Sequence, residues 1–267
     1  MTETLDKTRI DAIVQRVLRE AAQGGQPSAG HPTPAAAPHL SHVGRAGRSA
    51  VAPAAAGRDG IFTTIDDAVR AARAAFVALG GMTLEKRYEI VAAIRAAMLT
   101  EADSLARMAH EETGLGRPED KYQKNLLTAR KTPGPEALQP LAWTGDHGLS
   151  LVERAPYGVI GAITPVTNPT STIINNSISM LSAGNAVVFN VHPGAKRTCS
   201  YQIQLINRAV VGAGGPANLL TAIAEPTIAS AQELMRHPGI RLLMVTGGPG
   251  VVKEAMSSGK RAVCAGP

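Results

Sequence analysis

Three short stretches hold the groups that could do chemistry. Thr164-Pro165-Val166-Thr167-Asn168-Pro169 is a Pro-rich turn with a single amide side chain, Asn168. The two N–H donors of that amide could meet an oxygen that gains negative charge, or could be used up on the backbone of the turn itself. Gly247-Gly248-Pro249-Gly250 closes an apolar run and opens a helix, where backbone N–H groups and the positive end of the helix dipole can hold a phosphate. A Gly-Pro turn after a strand is also ordinary punctuation, so this stretch decides nothing alone, and no strict GxGxxG accompanies it. Asn190-Val191-His192-Pro193 is the third. Of the two thiols, Cys199 shares a helical stripe with Ala195, Ile203, Ile206 and Val210 and reads as a buried apolar residue, while Cys264 falls late in a strand. Two cysteines build no disulfide framework and fit a reducing compartment. The seven histidines show no metal-ligand spacing, and the His39/His42 pair sits in a low-complexity stretch, so no metal is expected.

These stretches need elements to hold them. From Pro156 to Pro193 the sequence reads as strand, turn, helix, strand: the run Val159–Ile163, a helix near 171–182 stopped at Gly184, and the run Ala186–Val191. Two short apolar runs separated by a helix-length segment make a parallel βαβ unit, whose ligands bind beyond the carboxyl ends of the strands. Further strands are expected at 219–223, 242–245 and 262–265, with helices near 195–211, 228–236 and 250–257 between them. That alternation gives an α/β fold with a doubly wound parallel sheet. Ahead of it, Thr64/Asp67, Thr83 and Thr100/Asp103 open three helices. Their expected core faces are Ile65, Ala68, Val69, Ala72, Phe76 and Leu79 on the first, and Leu84, Tyr88, Val91, Ile94 and Met98 on the second. Around the turn Gly145-Asp146-His147-Gly148 the chain reads as a β-hairpin that offers an edge to another subunit.

The 267 residues suffice for one large domain or two modest ones, and aromatics at 3% suit helix-on-sheet packing better than an aromatic-lined groove. The +6 formal charge is scattered among acids, with no basic stripe, which argues against nucleic acid and leaves at most an attraction for a phosphate-bearing cofactor. No signal peptide or membrane-length apolar run is found, so a cytoplasmic protein is expected. Near the amino terminus, Ile10, Ile13, Val14, Val17 and Leu18 form one apolar stripe on a helix spanning 8–21. The Ala-, Pro-, Gly- and Ser-rich stretch that follows builds no core and acts as a leash, which favours docking on a partner over folding back on the body.

Several ordered motifs together resemble the aldehyde dehydrogenase superfamily: PYGVIGAITPVTNPT at 156–170, AGNAVVFNVHPGA at 183–195, GAGGPANLL at 212–220 and MVTGGPG at 244–250. ETGLGRPEDK at 112–121 and the leashed helix are similar to the CoA-acylating branch, the propionaldehyde and acetaldehyde dehydrogenases of bacterial microcompartments. The resemblance implies a Rossmann-like NAD-binding domain. It implies a cysteine thiolate that attacks a short aldehyde, NAD as hydride acceptor and coenzyme A as acyl acceptor, in the microcompartment lumen. It assigns the oxyanion donor to Asn168, and the cofactor to Thr164, Pro165, Val166, Asn190, His192, Pro193, Gly215, Thr246, Gly247, Gly248 and Val251. Asn190 and Pro193 fall where many relatives carry a ribose-binding lysine and glutamate, which leaves NADP open beside NAD. Cys264 falls where hydrolytic relatives keep the glutamate that activates water, which suits a thiol acceptor. The family's nucleophile lies beyond the position of Pro267, so the resemblance implies a cofactor-binding half that is inactive alone. The partners it implies are a shell protein for residues 8–21 and a neighbouring copy for the hairpin. The expected segments are 1–21 amphipathic helix, 22–60 linker, 61–140 helical start, 141–155 oligomerisation strands and 156–267 dinucleotide-binding domain. A second reading is a shell-docked interaction protein whose α/β body binds nucleotide without catalysis.

Overall fold

The computed structural model describes Gly57 and residues 59–266. The amphipathic helix expected at 8–21 and nearly all of the 22–60 linker lie outside the described residues. In chain order the elements are β1 (Ile61–Phe62), α1 (Ile65–Gly80), α2 (Leu84–Thr100), α3 (Ala102–Thr113), α4 (Pro118–Lys131), β2 (Leu141–Gly145), β3 (Gly148–Val152), β4 (Val159–Ile163), α5 (Pro169–Ser182), β5 (Ala186–Asn190), α6 (Lys196–Gly212), β6 (Leu220–Ile223), α7 (Ile228–Arg236), β7 (Leu242–Thr246), α8 (Pro249–Met256) and β8 (Ala262–Ala265).

Six strands form one parallel sheet in the order β1-β6-β5-β4-β7-β8. Every residue of β4, β5 and β6 is buried, the pattern of strands covered on both faces, which explains their unbroken apolar sequences. Helices α1 and α7 pack on one face, and α5 and α6 on the other. Helices α2, α3 and α4 form a second layer over α5 and α6. An Arg236–Glu254 ion pair ties α8 to α7. From β4 the chain winds outward to β5 and β6, then returns to the opposite side of β4 for β7 and β8. The winding reverses between β4 and β7, so the ligand crevice of this fold opens at the carboxyl ends of those two strands.

The local signals work as their chemistry dictates. Thr64 and Thr83 accept from the backbone N–H of Asp67 and Lys86 and so start α1 and α2, and Gly114, at φ 67°, stops α3 in the left-handed conformation that glycine tolerates. Three points differ from expectation. Leu84 and Tyr88 are exposed, and the buried face of α2 is Ile90, Val91, Ile94 and Met98. Glu101, not Thr100, precedes the first turn of α3, and its side chain makes no capping bond to that turn. The two-residue strand β1 and the whole of α4 are additions, and α4 bears directly on the site.

Candidate active site

Besides α1, which follows β1 and is capped by Thr64, four helices begin at the carboxyl edge of the sheet, one after each of β4, β5, β6 and β7. The first backbone N–H groups of a helix lack intrahelical partners, so each start is either filled by the protein or open to an anion. Two are filled. At α6, the Glu112 carboxylate from the end of α3 accepts from the Arg197 N–H (2.8 Å), the Thr198 N–H (2.7 Å) and the Thr198 hydroxyl (2.7 Å). At α7, Thr227 and Ser230 form a reciprocal capping box. The other two, α5 and α8, have no side-chain cap, and they follow β4 and β7, the pair of strands that flank the switch point.

At the α5 start, Asn168 is the half-buried residue just before Pro169, and Lys124 Nζ donates to its Oδ1 at 3.0 Å. One turn earlier along α4, Lys121 is 5% exposed and donates to the Thr167 carbonyl at 3.1 Å. Burial, and then the neighbouring Lys124 charge, holds the Lys121 pKa below the ordinary lysine value. The same face of α4 supplies Asn125, whose Oδ1 accepts from the Thr170 hydroxyl at 2.8 Å. Thr164, directly after β4, is 2% exposed, and its hydroxyl has no partner. A buried hydroxyl left unpaired in a native fold asks for a ligand or another reason.

At the α8 start, Gly247 donates its N–H to the Ala265 carbonyl at 3.1 Å. A Cβ on Gly247 would stand 2.6 Å from Val251 Cγ1, so only glycine lets Val251 pack there. A Cβ on Gly248 would meet nothing within 4 Å, so the space over that backbone is open. Thr246, Gly247, Gly248 and Val251 therefore gather at one open helix start. The orphaned Thr164 hydroxyl, the uncapped α8 start and the open space over Gly248 fit a dinucleotide.

The remaining positions fall as follows. Asn190 ends β5 but is 3% exposed, with Oδ1 accepting from Ser230 Oγ at 2.6 Å and Nδ2 donating to the Thr227 carbonyl at 3.4 Å, so its amide holds the α7 start. His192 and Pro193 are exposed beside it, and His192 Nδ1 accepts from the Gly194 N–H. Gly215 does not join them. It precedes β6 at the amino edge of the sheet, where a Cβ would stand 2.7 Å from Val210 Cγ1 and 2.8 Å from Ile90 Cδ1, so packing of α2 on α6 explains that glycine. Cys199 is fully buried in α6, and burial, with help from the Glu112 charge, pushes its thiol far above the ordinary cysteine value. Cys264 packs part-buried against the core. Neither is an exposed thiol.

Helix α8 packs on β7 and β8, and residues of α4 and α5 come alongside those strands. There Thr128, Lys131, Ser171, Asn175, Met244 and Ala265 line an open groove of about 540 Å³. Lys121, Lys124 and Glu112 escaped the sequence reading of the site. Their signal was available: Lys121, Lys124 and Asn125 are spaced i, i+3, i+4, which puts three polar side chains on one helical face.

The sequence pattern of the aldehyde dehydrogenase family matches residues 52–264. The chain belongs to that family. Among its relatives, the acetaldehyde dehydrogenase (acetylating) of Bilophila wadsworthia is 53% identical over 196 residues, covering 73% of this chain and 40% of the relative. The propionaldehyde dehydrogenase of Rhodopseudomonas palustris, solved with bound propionyl-CoA, superimposes with a TM-score of 0.77 at 46% identity, covering 78% of this chain and 46% of that one. The propionaldehyde dehydrogenase of the Clostridium phytofermentans fucose utilisation bacterial microcompartment gives 0.76 at 48% identity, covering 78% and 48%. This aldehyde dehydrogenase chain thus spans less than half the length of these relatives. Among its described residues no helix is long and apolar enough to cross a membrane, and no three His, Cys, Asp or Glu side chains gather as a metal site.

Proposed function

We propose that this chain is the cofactor-binding half of a CoA-acylating aldehyde dehydrogenase that converts acetaldehyde or propanal to the acyl-CoA. The observation that carries the reading is the pair of open helix starts on either side of the switch point, with the two neighbouring starts filled by Glu112 and by Thr227/Ser230. The α8 start takes the cofactor's pyrophosphate on the backbone N–H groups that follow Gly247, whose own N–H holds the turn to Ala265. The Thr164 hydroxyl and the Pro165-Val166 backbone border its other half. Asn168 donates from Nδ2 to the aldehyde oxygen as negative charge develops there, and the α5 dipole adds to that field. When bound, NAD supplies the hydride acceptor. Coenzyme A is the thiol that takes the acyl group, and the attacking thiolate comes from outside the described residues. Residues 8–21 dock on a microcompartment shell protein, and the β2–β3 hairpin pairs with a neighbouring copy. Both expectations draw support from the likeness to microcompartment enzymes and from the exposed hairpin.

Calorimetric titration of the chain with NAD, and in parallel with NADP, tests this reading. Saturable binding of NAD that Gly248→Trp abolishes is expected, because an indole there fills the space that the phosphates need. If neither dinucleotide binds the native chain, the crevice is not a cofactor site and the proposal fails.

A further inference from the structure

We infer that Lys124 is a positioning residue for Asn168: it holds the side-chain amide by its oxygen, so that both Nδ2 protons stay available as donors to the aldehyde oxygen. This rests on the proposed role of Asn168 and extends it to a residue on another helix. A lysine ammonium has donors and no lone pair, so the end of the Asn168 amide that it meets has to be Oδ1. Nδ2 is then the outer arm. Oδ1 does not cap α5, and among the described residues Nδ2 has no acceptor. An asparagine before a helix ordinarily spends its side chain on the first turn, so this one is withheld from its usual structural use.

The surroundings speak for chemistry over stability. Lys121 and Lys124 bring two ammonium groups to the amino end of α5, where the helix dipole favours anions and opposes cations. Lys121 also gives up hydration to be there. A merely structural grip on these two acceptors is better made by neutral donors, which the helix dipole does not oppose. A turn that must stabilise an oxygen as it becomes negative gains from both charges. The α4 grip is threefold: Lys121 on the Thr167 carbonyl, Lys124 on Asn168 Oδ1, and Asn125 on the Thr170 hydroxyl, with the Thr170 carbonyl accepting in turn from Gln202 Nε2. Main chain on both sides of Asn168 is thereby fixed, and Lys124 supplies the one contact that sets the amide's rotation.

The test reads the amide itself in the ¹⁵N-labelled chain, with the Asn168 side-chain pair identified by its loss in Asn168→Asp. Lys124→Met is expected to move the Asn168 pair toward the free-asparagine position, while Lys124→Arg, which still donates, keeps it near its native place. The Asn185 and Asn207 pairs, buried elsewhere, stay put in both variants. An Asn168 pair that ignores Lys124→Met overturns the inference, and so do shifts of all three pairs together, which would make Lys124 a general support of the fold. With the nucleophile-bearing part of the enzyme present, Lys124→Met lowers kcat about ten- to a hundredfold, leaves KM for NAD in place, and adds no further loss to Asn168→Ala. Equal losses in both backgrounds, or a raised KM for coenzyme A at unchanged kcat, also overturn it. Full activity in Asn168→Ala would instead sink the oxyanion role, while the amide shifts would still report the Lys124 contact.

Discussion

Lys121 is the one charged residue among the described residues that is buried, and its environment gives its titration a definite sign. Its pKa in the fold lies below the ordinary value of 10.5, first through desolvation and then through Lys124. Between the two values the unfolded chain binds more protons than the folded one, so stability contributed at this position rises with pH across that window. Lys121→Met has no proton to lose there. The stability of the native chain relative to Lys121→Met is therefore expected to increase as pH rises toward 10.5, and paired urea unfolding curves from pH 8 upward would show it. A flat or shrinking difference would mean that Lys121 is hydrated in solution. At this scale the sequence was a partial guide. Asn168 could be singled out from its turn, and Cys199 from its apolar stripe. The commitment of the Asn190 amide to Ser230 and Thr227 could not be read, since it depends on a helix 37–40 positions further along the chain.

Among the elements, α3 and α6 are joined by a single carboxylate. Glu112 satisfies two orphan N–H groups and a hydroxyl at the α6 start, all at charge-assisted lengths. Glu112→Ala should lower the unfolding free energy by about 1–3 kcal/mol, the usual consequence of leaving such donors unpaired, and Glu112→Gln by less. Urea midpoints at constant slope would measure both. No loss in either variant would show that solvent replaces the carboxylate freely. Helix α4 marks the limit of pattern reading. It has Pro118 in its first turn, Glu119 and Asp120 near its start and Arg130 and Lys131 at its end, all regular helix signals. It lacks a long apolar stripe, because its inward face is Lys121, Asn125 and Ala129, and periodicity of apolar residues passes over a helix that buries polar ones. The helix that positions the candidate oxyanion donor was hidden for the reason that makes it useful.

For the whole molecule, the hairpin is the feature that the fold leaves open. Every residue of β2 and β3 is exposed, with Trp143 at 57%, Leu149 at 69% and Leu151 at 58%, and no other strand of the described residues pairs with it. An apolar two-stranded ribbon with free edges is marginal alone and prone to pairing. The chain is expected to self-associate in sedimentation velocity, and Trp143→Lys with Leu151→Lys to reduce that association without lowering the thermal midpoint of the α/β body. Trp143 is the only tryptophan, so its emission should shift to the blue as association proceeds. A native chain that stays monomeric at every concentration would count against the hairpin as an interface. The sequence by itself determined the parallel α/β class, the hairpin and the strands β4 to β8, because buried parallel strands are continuous apolar runs and their turns are written in glycine, proline and asparagine. Only the tertiary structure decided that Glu112 fills the α6 start, that Gly215 serves packing at the far edge of the sheet, and that two lysines reach the Asn168 turn. Each of those depends on a side chain more than 40 residues away along the chain, or on the order in which strands pair, and neither leaves a local pattern to read.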